Sequence, residues 1–127
     1  MIGSTNVPGL SYSQVTNMVA GSDLADRVAK MNNIQTLHFA ATDWTGSGPY
    51  TQTLNNVVGY NDAPITATDK PEIFYNAEAA GISTVDAYET YAEECGYISK
   101  IATGAGTLTA TAYAQPTMEI YFDLKGV

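Results

Sequence analysis

The residues in this chain with the chemistry for catalysis or metal binding are few: one histidine, one cysteine and several acids. His38 sits on the polar side of an alternating run in which Leu37, Phe39 and Ala41 face one way and Thr36, His38 and Ala40 the other. A Ser-His-Asp relay or a histidine metal site would have to be built on His38 alone. No nucleophile or second ligand stands at a matching spacing, so it reads as an ordinary strand residue. Cys95 closes an apolar helical row among acidic neighbours, which disfavour the thiolate, so it reads as packing. Glu89 and Glu93, one helical turn apart, form a solvated face, and the chain is short for a cleft with opposed carboxylates. Asn61, Asp62 and Asp69 offer oxygens to calcium at a spacing that fits no EF-hand loop. Gly104 and Gly106 fall between two strand patterns and not ahead of a helix, so they mark a turn and not a phosphate cradle. The expectation is a protein that is not an enzyme, with no catalytic, cofactor-binding or metal-binding residue and no cofactor.

Tyrosine is the abundant reactive type, with 9 in 127 residues. Tyr88 and Tyr91 on a helix, Tyr97, Tyr113 and Tyr121 on strands, and Tyr50 and Tyr60 beside turns offer rings on which sugars stack. The alternative is core filling or contact between subunits, where tyrosine is enriched.

The elements that would position these residues begin around Trp44. It precedes a bend at Gly46, Ser47, Gly48 and Pro49, after which Tyr50 to Leu54 alternates as a strand that continues through Val58. A buried indole of this kind seeds a small core. The spacing predicts further strands from Ile34, over Glu72 to Tyr75 at a sheet edge after Pro71, over Tyr97 to Ala102, and over Thr107 to Tyr113. Met118 to Leu124 alternates most cleanly, with Met118, Ile120, Phe122 and Leu124 on one face. One helix is expected over 83–94, with Ser83 in the capping position, Val85, Tyr88, Ala92 and Cys95 on its inner side, and Gly96 as its stop. Ahead of Asn33 the chain changes character. An extended arm is followed by a helix capped by Ser22 and running to about Met31, with Leu24, Val28 and Met31 as one apolar row. That row suits docking on a domain, a short self-associating stalk, or no stable helix at all. It is the candidate surface for oligomerisation or anchoring; no receptor-binding residue is assigned.

The totals limit the partners. Thirteen acids against 5 basic residues give net −8, and Arg27, Lys30, Lys70, Lys100 and Lys125 are scattered. Nucleic acid, which needs clustered cations, is not an expected partner. No apolar run is long enough to span a bilayer, so no membrane insertion is expected. The opening stretch lacks the pattern of a secretory signal, and a lone cysteine precludes an internal disulfide, as suits assembly in a reducing cytosol.

Several pieces taken in order carry a resemblance. They are Trp44-Thr45-Gly46 with Gly48-Pro49-Tyr50-Thr51-Gln52-Thr53, then Ile65-Thr66-Ala67-Thr68-Asp69-Lys70-Pro71, Gly106 to Tyr113, and the ending Met118 to Val127. Together, over residues 35–127, they resemble the C-terminal β domain of virion appendage proteins (head fibre and tail fibre type) from tailed phages and prophages of Firmicutes. Tyr60 to Pro64 resembles an insertion in that pattern, and the short N-terminal part suits a compact knob. The resemblance implies a mainly β protein: a compact antiparallel β-sandwich-like domain with one inserted helix over 34–127, preceded by an anchoring arm and short helix over 1–33. It also implies a non-enzymatic homotrimer that is assembled in the host cytoplasm, displayed on the virion exterior and attached to capsid or tail proteins. The competing reading is a tail-associated receptor-binding module that holds a host cell-surface glycan.

Overall fold

The computed structural model describes residues 23–127; the expected arm and the cap at Ser22 lie outside the described residues. The chain divides into two compact units, Met1–Asn32 and Asn33–Val127. In the first, residues 23–32 are helical (α1). Asp23 near the start of α1 accepts a hydrogen bond from Arg27 one turn on, an arrangement that favours the helix on its own surface.

The second unit is mainly β, with two three-stranded antiparallel sheets that together form a sandwich-like core. The first sheet contains β1 (Ile34–Phe39), β3 (Glu72–Tyr75) and β6 (Ile120–Lys125) in the order β1-β6-β3. The second contains β2 (Tyr50–Leu54), β4 (Ile98–Gly104) and β5 (Thr107–Ala112) in the order β2-β5-β4. In each sheet the middle strand has the cleanest alternation. Ile120, Phe122 and Leu124 of β6, and Leu108, Ala110 and Ala112 of β5, are wholly buried. Each large apolar side chain removed from water in this way contributes roughly 1.5–3 kcal/mol. Register completes the layers: Leu37 lies opposite Phe122 and Phe39 opposite Ile120, while Gln52 lies opposite Ala110 and Leu54 opposite Leu108. The Phe39 and Phe122 rings stack at 4.8 Å, and Trp44 tilts against Phe39 at 5.7 Å.

With Glu94, Gln52 is one of two polar side chains buried among the described residues. Its amide accepts from the Ala40 N–H and donates to the Ala40 carbonyl, both at 2.9 Å. One side chain thus satisfies the backbone where β1 ends, removing the cost of two unpaired groups. The Thr45–Pro49 bend follows, with Thr45 and Thr51 exchanging backbone hydrogen bonds across it. Gly46 has φ +97, and a Cβ there would fall 2.6 Å from the Pro49 carbonyl oxygen, so only glycine fits.

Several expected boundaries shift. The strand expected to reach Val58 ends at Leu54, because Val57 turns to donate to Gly106 on the β4–β5 hairpin instead. The helix α2 spans Val85–Tyr97, and its cap is Thr84, whose hydroxyl accepts from the Ala87 N–H, and not Ser83. Gly96 lies within α2 and does not stop it. Ile98 ends the helix in an extended conformation, its N–H bonded to the Cys95 carbonyl, and leads straight into β4.

Candidate functional site

The three residues of the expected association row lie on α1 as spacing required. Leu24, Val28 and Met31 are 56%, 45% and 65% exposed. Three apolar side chains left in water on one stripe of a helix form a surface suited to being covered.

The expected chemistry-bearing residues are each tied into the fold. His38 stacks on Tyr121 at 4.7 Å, and its Nε2 stands 3.4 Å from Glu119 Oε1. The other Glu119 oxygen accepts the Ala41 N–H at 2.7 Å, so this acid closes the turn after β1. Beside them Asp123 accepts from Thr36 and Asn76. Glu89 and Glu93 stay exposed, and Asp69 accepts the Thr66 N–H within its own turn. Among the described residues no group of three acids, histidines or cysteines is placed to hold a metal ion.

The inner face of α2 is Tyr91, Glu94 and Cys95, whereas Val85 and Tyr88 of the expected row remain exposed. Tyr91 and Cys95 are one turn apart and reach the core. The Tyr91 hydroxyl donates to the Tyr121 carbonyl at 2.8 Å and receives the Tyr121 N–H at 3.0 Å. It thereby satisfies both backbone groups of one β6 residue from the helix. Burial pushes the Tyr91 phenol up to about 12, with smaller contributions from Cys95. Burial also pushes the Cys95 thiol up to about 11; a hydrogen bond with Tyr91 opposes the shift and nearby Glu94 adds to it. Such a thiol is protonated and inert at neutral pH.

Tyr113 is exposed after β5, and around α2 and β3 the rings of Phe74, Tyr75 and Tyr88 are exposed beside Val85. There Tyr75, Tyr88 and Tyr91 line an open hollow of about 570 Å³ whose remaining wall includes Cys95 and Ile98. A second hollow of about 340 Å³ lies further along the same two strands. Lys70, Pro71 and Ile73 form one side of it and Lys100 to Thr103 the other, with Asp69 at its margin. Thr103 holds that wall in place by donating to the Asp69 and Ala67 carbonyls. The second hollow lies between β3 and β4, each an edge strand of its sheet, and the first lies between the end of β3, α2 and the start of β4. A larger hollow of about 660 Å³ between residues 55–58 and the β4–β5 hairpin has no charged or aromatic side chain in its lining.

Tyr88 and Tyr91 stand out from sequence as ring-bearing candidates, whereas Tyr75, Lys70 and Lys100 do not. The available signal was the scarcity of cations, which makes any two that share a hollow notable. Their placement in one hollow depends on the edges of two different sheets facing it, which no local pattern encodes. Comparisons with family models, curated proteins and solved structures return no match to this chain.

Proposed function

We propose that the chain is a non-enzymatic structural protein of a bacteriophage virion, a trimeric exterior appendage of the head-fibre or decoration type. Residues 1–33 attach it to capsid or tail proteins, and the β unit is presented outward. The observation that carries this reading is the exposed row Leu24, Val28 and Met31, on a helix belonging to a unit distinct from the β unit. The β unit closes its own core, so its stability does not require those three side chains. A row left in water is stabilised when copies of the helix meet along it. The resemblance of the Trp44 to Thr53, Ile65 to Pro71 and Gly106 to Tyr113 stretches to phage appendage domains supports the virion setting.

The test uses the full chain with Leu24→Ser, Val28→Ser and Met31→Ser combined, and antibody-labelled electron microscopy of purified particles. The wild-type chain is expected on the particle exterior and the folded variant absent from it. Decoration by the variant, or particles without the wild-type chain, contradicts the reading. A second reading, a tail-associated module that adheres to a host glycan, is favoured by the aromatic hollow beside α2.

A further inference from the structure

We propose that the seam between the edges of β3 and β4 binds an acidic glycan. Its sugar rings lie against Tyr75 and Tyr88, and its carboxylate or phosphodiester groups meet Lys70 and Lys100. This rests on the adhesion reading and gives it a site and a ligand class; it does not depend on the chain being a trimer.

Two independent features meet on this seam. The first is the open aromatic hollow, whose tyrosine rings present apolar faces and polar hydroxyl tips, the amphipathic surface that a pyranose ring matches. The second is charge. Lys70 and Lys100 are two of the three lysines in the β unit of a chain with net charge −8, and both line the second hollow. Neither makes an ion pair among the described residues. Asp69 shares that hollow, with a carboxylate oxygen engaged by the Thr66 N–H; the two lysines outweigh its charge.

The geometry links the two ends. Ile73 in one hollow and Tyr75 in the other share a face of β3, roughly 7 Å apart along the strand. Lys70 and Tyr75 are separated by at most about 17 Å of extended chain, a span of a few sugar rings. On the facing strand, Ile98 belongs to the aromatic end and Lys100 to the cationic end. A lysine and a proline at a sheet edge also discourage edge-to-edge pairing. That role accounts for Lys70 and Pro71 but not for the half-open tyrosines beside them. The net negative charge of the whole chain repels an anion at long range, but at physiological salt this field is screened beyond about 8 Å. The lysines at the seam then govern recognition.

Isothermal titration of the full chain with three probes tests the proposal: tetragalacturonate (carboxylates), a phosphodiester-linked mannose oligomer, and neutral maltotetraose. At least one anionic probe is expected to bind saturably, and the neutral one about tenfold or more weakly. Lys70→Gln with Lys100→Gln should remove that preference, and Tyr88→Ala should weaken every interaction by about tenfold. All three side chains are exposed, so thermal melting of the variants should match wild type. Which anionic probe binds identifies the charged group. No saturable binding of either anionic probe, equal binding of the neutral one, or unchanged affinity in the variants overturns the proposal. A chain that decorates particles yet binds neither anionic probe removes this site and leaves the structural role standing.

Discussion

At the scale of single residues, Glu94 does what its position in a helical pattern conceals. Helical spacing places it among the acids of a solvated face, yet it is buried with its carboxylate turned onto the loop before β6. One oxygen accepts the Thr117 and Met118 N–H groups at 2.7 and 2.8 Å, and the other accepts the Thr117 hydroxyl at 2.6 Å. No local signal reveals this, because the partners are backbone groups of a distant segment. Glu94→Ala leaves those donors unpaired and should cost about 2–4 kcal/mol. Glu94→Gln keeps the acceptor facing the two N–H groups and should cost less than about half as much in urea unfolding. Cys95 and Tyr91 make a second prediction. Both are acids whose folded values, about 11 and about 12, stand above the ordinary 9.0 and 10.0. The folded state therefore holds its protons more tightly than the unfolded state, and this contribution is fully present below pH 9. It should be lost as pH rises from about 9 to about 12. Denaturant midpoints followed across that window should fall, and Cys95 should resist alkylation at pH 8 until the chain is unfolded.

The strands show at the scale of elements why some structure is legible from one sequence and some is not. The alternation of Ile120, Phe122 and Leu124 declares β6, since a strand with one buried face imposes a period of two. The edge position of β3 follows as directly from Pro71. Ends are harder, because they depend on which backbone groups find partners. Ser83 and Thr84 offer nearly the same hydroxyl, and only the observed bond from Ala87 selects Thr84. Gly96 looked like a stop from its composition, but the chain can pass from α2 into β4 without a left-handed residue. Thr84→Ala should lower stability by about 1 kcal/mol, whereas Ser83→Ala should leave it unchanged, as read by thermal unfolding. Gly59 ties a loop to the end of β6: a Cβ there would sit 2.3 Å from the Val127 carbonyl carbon, while Tyr60 N–H donates to the Val127 oxygen at 2.9 Å. Gly59→Ala should therefore destabilise by about 1–3 kcal/mol through overpacking.

At the scale of the whole molecule, the two sheets and α2 of the β unit bury a continuous core, and on α1 the row Leu24, Val28 and Met31 is exposed. The β class was readable from strand alternation, as in Met118 to Leu124. The seam between β3 and β4 was not readable, because it exists only once both sheets are assembled. What most directly tests the proposed appendage is the mass of the full chain in solution at micromolar concentration, measured by sedimentation equilibrium. Wild type should sediment as a single species of three chains, and the combined Leu24→Ser, Val28→Ser, Met31→Ser variant as a folded monomer. A wild-type monomer, or a trimer that survives those three substitutions, would contradict it.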